Sequence, residues 1–238
     1  MEFIKYLWYL LNTINFIKGN VMILLVGGRK GGSGKSTIAM NICAALAQAG
    51  KDIMLVDADK QASSAGWSLE RSTNKPDKGA VHCVQKYDEI HKTLIDLDKR
   101  YDYVVVDAAG RDSPELRSSM VVAHTLLIPV RPSQLDLNTI PDMQKIINDS
   151  RIINPDLRVL AVLSMGPTNP IIQETDEAKE FLSEFPEIKL LTTIIRDRKI
   201  YRDSIPEGLG VVEIDNASES ARKAKREIAD LIEEIYGH

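Results

Sequence analysis

Eleven consecutive residues, Gly27-Gly28-Arg29-Lys30-Gly31-Gly32-Ser33-Gly34-Lys35-Ser36-Thr37, combine five glycines with two lysines and three hydroxyls. Glycines let backbone N–H groups converge on one anion, and a helix that starts just after them adds a favourable dipole. A lysine supplies a mobile positive charge, and a hydroxyl is a ligand for a hard cation. Together these are the means to bind a polyphosphate. Lys35 is expected to reach β- and γ-phosphates, and the Ser36 hydroxyl to ligate Mg²⁺. The pattern G-x-x-x-x-G-K-[ST] is not met to the letter, because Arg29 stands at its first position. Two acidic stretches, Asp57-Ala58-Asp59-Lys60-Gln61 and Asp107-Ala108-Ala109-Gly110, each follow an apolar run.

Strands and helices must bring these segments together. Continuous aliphatic runs occur at 22–26, 53–56, 81–84, 103–106, 125–130, 159–163 and 190–194. Runs without alternation suit strands buried on both faces. Helical stretches are expected between them, at 35–49, 65–71, 88–99, 114–122, 137–149, 172–182 and 217–236, with Gly50 ending the first. Such alternation predicts an α/β fold: a mostly parallel twisted sheet with helices on both faces. Ligands of open α/β sheets sit beyond the carboxyl ends of the strands. The glycine-rich turn and both acidic stretches lie at such ends, so they can share one site. Residues 72–80 are the most loop-like stretch. No repeat or linker is visible, and 22–238 reads as a single domain.

The stretch Lys30-Gly31-Gly32-Ser33-Gly34-Lys35-Ser36-Thr37 resembles the deviant Walker A motif of the ParA/MinD family of P-loop ATPases. Residues 57–61 resemble that family's D-x-D-P-Q segment, with Lys60 where proline is usual. Residues 107–110 resemble a Walker B strand followed by a switch glycine. Residues 128–136 (Ile-Pro-Val-Arg-Pro-Ser-Gln-Leu-Asp) resemble its P-x-x-P-S stretch. The resemblance spans roughly residues 22–236 and is closest to small plasmid-type partition ATPases. The 21 residues before the first strand are too few for a helix-turn-helix domain.

The resemblance implies a P-loop NTPase fold with ATP and Mg²⁺ as cofactors. It implies that residues 30–37 cradle the nucleotide and that Lys30 reaches across a homodimer to the partner's ATP. Asp107 would hold Mg²⁺ through its water shell, Asp57 would support it, and Asp59 would orient the attacking water. Pro132 and Met165 fall where nucleotide contacts are made, Met165 in a Ser-Met-Gly segment where relatives often carry Asn-Arg or Thr-Arg. The loop 205–211 is expected to close over the base.

Of 238 residues, 44% are hydrophobic and 27% charged, so the chain can bury a sizeable core. Its net charge of −4 excludes a uniformly basic, histone-like protein. Any DNA contact must come from a local patch. Arg196, Arg198, Lys199 and Arg202 form one basic cluster, and Arg222, Lys223, Lys225 and Arg226 a second; with Asp197 they carry a net +7. Ala221, Ala224, Ile228, Leu231 and Ile235 form an apolar stripe beside the second cluster, which predicts an amphipathic helix with its cations outward. Such an excess suits a phosphate-backbone footprint. A solvated face with i,i+4 pairs Lys223–Glu227 and Arg226–Asp230 is the plainer alternative. Cys43 and Cys83 are too few for a disulfide framework and read as buried thiols in a cytoplasmic protein.

Residues 3–17 are apolar and aromatic, too short and interrupted for a membrane span and lacking a secretory cleavage site. Ile4, Leu7, Leu11 and Ile14 fall at helical spacing, so 1–21 reads as a helical extension, or as sequence upstream of a start at Met22. The expectation is a cytoplasmic, nucleoid-associated partition ATPase. It binds nonspecific DNA as an ATP dimer and is released when a centromere-binding partner stimulates hydrolysis. The alternative is a MinD-like positioning ATPase on membranes, which the acidic end Glu233-Glu234 disfavours because anionic lipid would repel it. A metal-transfer ATPase would need paired cysteines at a dimer seam, and a small-molecule kinase gives Lys30 no role.

Overall fold

The computed structural model describes residues 22–169, 174–215 and 218–237. The helix expected within 1–21 lies outside them. Seven parallel strands form one sheet in the order β3-β2-β4-β1-β5-β6-β7. They are β1 (Met22–Val26), β2 (Ile53–Ala58), β3 (His82–Gln85), β4 (Tyr103–Ala108), β5 (Thr125–Val130), β6 (Arg158–Gly166) and β7 (Lys189–Arg196). The parallel sheet expected from the aliphatic runs is therefore present.

Between the strands lie α1 (Lys35–Gln48), α2 (Ser63–Asn74), α3 (His91–Asp98), α4 (Pro114–Met120), α5 (Gln134–Leu137), α6 (Ile140–Arg151), α7 (Glu174–Ser183), α8 (Lys199–Ser204) and α9 (Glu219–Tyr236). The single helix expected over 137–149 is two. Ser133 caps α5 by accepting from Asp136 N, and Pro141 in the first turn of α6 starts a new helix. Helix α8 lies in the basic run and was not expected; its six residues are too few to show a period.

Alternate residues of each strand feed opposite layers. Leu24 and Val26 of β1 join α1 and α9 on one face, while Ile23 and Leu25 join α3, α4 and α6 on the other. The stripe Ala221, Ala224, Ile228, Leu231 and Ile235 of α9 is fully buried, as its spacing predicts. Glu234 of α9 also reaches the edge strand β7, where its carboxylate accepts from Thr192 N and Thr193 N at 2.8 and 2.7 Å. That contact satisfies amides on an edge that would otherwise be open to another chain.

The register places the chemistry. Val26 pairs with Asp107 and Asp57 with Asp107 on adjacent strands. The ends of β1, β2 and β4 thus stand side by side, and the glycine-rich turn leaves β1 directly beside both aspartates.

Candidate functional site

The glycine-rich turn runs into α1, whose first residue is Lys35. Gly34, just before it, has φ +82, in the left-handed region, and a Cβ there would stand 2.8 Å from Ser164 Oγ. Only glycine satisfies both demands. Gly110 is the second such position. A Cβ on it would meet Gly31 Cα and Lys30 O at 2.6 Å, so the segment after β4 packs on the backbone of the turn itself.

The Lys35 side chain is buried, and its Nζ donates to Lys30 O at 2.7 Å, across the mouth of the turn. Burial holds its pKa below the usual lysine value, against the pull of Asp107, Asp59 and Asp136. Lys30 is exposed on the rim. Ser33 is buried, while Ser36 and Thr37 are partly open at the start of α1.

Asp57 and Asp107 are buried at 0% and 1% exposure. Asp57 is the better satisfied: Oδ1 accepts from Asp59 N at 3.1 Å and Oδ2 from Ala65 N at 2.8 Å. Burial still raises its pKa. Asp107 Oδ2 accepts from Ser64 Oγ at 2.7 Å, and its Oδ1 has no protein partner. Burial pushes the Asp107 carboxyl up to about 6, against the hydroxyls of Ser64 and Ser36 and the charge of Lys35. A buried carboxylate oxygen without a donor beside a serine hydroxyl suits a hard divalent cation. Asp59 is half-buried, and its Oδ1 accepts from Gln61 N at 3.1 Å, which fixes the carboxylate at the mouth of the site.

Beyond Gly34 a groove continues between α1 and the ends of β6 and β7, lined by Thr37, Ser164, Met165, Arg196 and Tyr201 among others. Met165 has φ +55, an uncommon conformation for a residue with a side chain and one that concentrates at binding sites. Pro132 is buried after β5 and does not line this groove. The loop 205–211 does not line it either. Trp67 Nε1 donates to Leu209 O, Val211 N donates to Asn41 Oδ1, and Arg71 holds Gly208 O, so the loop is bound to α1 and α2 instead.

The model of the CobQ/CobB/MinD/ParA nucleotide binding domain matches residues 24–236. The chain belongs to this family. Maintenance of carboxysome distribution protein A of Halothiobacillus neapolitanus is 32% identical over 213 residues, which covers 89% of this chain and 95% of that protein. The chromosome-partitioning ATPase Soj of Thermus thermophilus is 27% identical over 212 residues, 77% of this chain and 85% of its own. Among solved structures, an ATP complex of a point variant of Cyanothece McdA aligns with a TM-score of 0.70 at 14% identity, covering 91% of this chain and 97% of that one. The cell division ATPase MinD of Pyrococcus furiosus aligns with 0.65 at 18% identity, covering 90% and 99%. The protein is a ParA/MinD-type ATPase.

In this ParA/MinD-type ATPase the two basic clusters meet where α8 and α9 pack together. Their charge is more compensated than the linear sequence suggests. Arg198 Nη2 pairs with Glu227 Oε1 at 2.7 Å with side chains only 10% and 13% exposed. Lys199 pairs with Asp203 at 3.1 Å, Lys223 with Glu219 at 2.6 Å, and Arg202 with Asp197. Arg196 is turned inward onto Pro167 O. Lys223 thus pairs one turn back with Glu219 rather than forward with Glu227, which Arg198 binds. Lys199, Arg202, Arg222, Lys223 and Arg226 remain exposed, and Lys225 is half-buried.

Ser64 is a functional neighbour that the sequence reading missed. Its signal is positional: it opens α2, seven residues after Asp57, where a hydroxyl can reach the next strand end. Arg131 is another. It sits inside the P-x-x-P-S stretch, between the two prolines that drew attention to it.

Proposed function

We propose that residues 22–238 work as one ATPase domain whose cofactors are ATP and Mg²⁺. The cradle is formed by Lys30, Gly31, Gly32, Ser33, Gly34, Lys35, Ser36 and Thr37. Lys35, now held by Lys30 O, exchanges that carbonyl for phosphate oxygens. Ser36 and Asp107 hold the cation, with Asp57 behind them ordering the 59–65 turn. Mg²⁺ held there would supply positive charge against the phosphates during transfer. Asp59, fixed by Gln61 N, orients the attacking water. Lys30, exposed on the rim, serves the phosphates of a second copy, so the ATP-bound form is a homodimer. Met165, on the groove that continues from Gly34, contacts the rest of the nucleotide, while Pro132, buried after β5, acts only by holding the chain next to Arg131.

The wider reading is a partition-type positioning ATPase. The dimer presents two copies of the α8–α9 face to nonspecific DNA, in the cytoplasm on the nucleoid. A centromere-binding partner stimulates hydrolysis and releases it, and the output is segregation of a plasmid or chromosome. Relatives named for chromosome partitioning and for carboxysome distribution both place a large cargo, which supports this class of work. One observation carries the reading: Lys199 and Arg202 on α8 and Arg222, Lys223 and Arg226 on α9 are exposed, and Arg202 also lines the groove that continues from the cradle. An electrophoretic mobility assay on random DNA with ATP, ADP or no nucleotide tests it. Binding with ATP alone, falling steeply with salt, is the expected result. Equal binding in all three conditions, or none, would remove the DNA reading, and flotation with anionic vesicles would then examine the membrane alternative.

A further inference from the structure

A guanidinium stands over the phosphate cradle without an anionic partner among the described residues. Arg131 follows β5 directly and is half-buried. Its Nη2 lies 3.5 Å from where a Cβ on Gly32 would stand, so the charged group rests against the backbone of the glycine-rich turn. That glycine has φ +74, so the guanidinium packs against a left-handed turn of the cradle backbone. The Nε is buried without a hydrogen-bond partner. Nη2 donates to Met165 Sδ at 2.9 Å, a thioether and a weak acceptor for a charged donor. By contrast the fully buried guanidinium of Arg71 is met by a full set of oxygens. Burying a charge without partners is costly, and a planar fork of N–H donors matches phosphate oxygens.

We propose that Arg131 is a nucleotide-binding residue that donates to a phosphate oxygen of the ATP held in its own subunit's cradle. The position fits the task. Arg131 lies between Gly32 on the cradle and Met165 on the groove that continues from it. Pro132 fixes the chain on one side, and Ser133 N donates to Arg131 O at 2.8 Å, so the backbone that carries the guanidinium is held. When phosphate arrives, Nε and Nη2 exchange a missing partner and a thioether for anionic oxygens. The proposal rests on the reading of residues 30–37 as the phosphate cradle.

The test is calorimetric titration of Arg131→Gln with Mg-ATP, Mg-ADP and adenosine, beside wild type and Lys35→Ala. Losing a charge-assisted contact is expected to weaken ATP and ADP about tenfold or more while leaving adenosine unchanged. ATP affinity within twofold of wild type would overturn the proposal. So would an equal loss for adenosine, which would mark Arg131 as a packing residue of the groove. Arg131→Lys keeps the charge without the fork; it is expected to fall between wild type and Arg131→Gln, and it carries the same readouts if the glutamine variant fails to fold. Lys35→Ala separates the two ideas. If it binds ATP normally, the cradle itself is misassigned; if it does not while Arg131→Gln does, only Arg131 is.

Discussion

The side chains of this site are held by a few contacts that leave no slack. Lys35 is the main cation inside the cradle, and its removal leaves polyphosphate charge uncompensated. Lys35→Ala is expected to abolish ATP binding in calorimetry; unchanged affinity would refute the cradle. Asp59→Ala removes a carboxylate whose Oδ1 accepts from Gln61 N at the turn. ATP should still bind, while ADP production falls at least a hundredfold in a phosphate-release assay. Gly110→Ala drives a methyl into Gly31 and Lys30 O, which are backbone atoms that cannot step aside. It is expected to weaken ATP binding although residue 110 carries no functional group. The glycines, lysines and aspartates at this scale were legible in the sequence, because polyphosphate chemistry restricts the residue types. Ser64 and Arg131 were not. A hydroxyl or guanidinium acquires its meaning here from a neighbour 43 or 34 residues away, Asp107 or Met165.

Elements were legible where burial is uniform and blurred where polar groups are buried. Strands β1, β2, β4 and β5 announce themselves as aliphatic runs because helices cover both faces. Helix α2 extends from Ser63 to Asn74, well beyond the 65–71 expected. Its buried face is built from Trp67 with Ser64, Ser68 and Arg71, and these three polar residues interrupt an apolar period. Each is buried through hydrogen bonds, Ser68 to Val81 O at 2.8 Å and Arg71 to Glu213 at 2.6 and 2.8 Å. Arg71 also binds the carbonyls of Lys78, Gly79 and Gly208, so one side chain ties α2 to the turn after it and to the 205–213 segment. Glu213→Gln would leave that guanidinium buried beside a neutral amide. The expected cost is about 3–5 kcal/mol in denaturant unfolding, since removing one partner strands the other charge. A change within about 0.5 kcal/mol, the usual size of a neutral substitution, would show that the carbonyls alone suffice. On α9, Ile228→Ala should cost about 2–5 kcal/mol for a cavity in the α1–α9 layer.

The whole molecule is a parallel sheet that brings three strand ends to one edge, and its charge must be read in three dimensions. Within the linear +7 of residues 196–202 and 222–226, Arg198, Lys199, Arg202 and Lys223 are held in ion pairs by Glu227, Asp203, Asp197 and Glu219, and Asp215 stands near Lys225. Pairing across α8 and α9 cannot be seen from spacing, whereas the parallel architecture can, because it follows from alternation along the chain. Arg222 and Arg226 are exposed on α9, where the proposed DNA contact would be made. Arg222→Glu with Arg226→Glu should weaken random-DNA binding at least tenfold and lower its salt slope, with basal ATPase activity unchanged. Wild-type affinity in that well-folded variant would reduce the patch to solvated surface. Lys30, exposed on the rim of one cradle, is proposed to complete the site of another copy. Sedimentation equilibrium with ATP, for wild type, Lys30→Ala and Asp59→Ala, addresses it directly. The account predicts that wild type shifts toward twice the monomer mass, that Asp59→Ala stays there, and that Lys30→Ala remains monomeric while still binding ATP. A Lys30→Ala protein that doubles its mass with ATP as wild type does would contradict it.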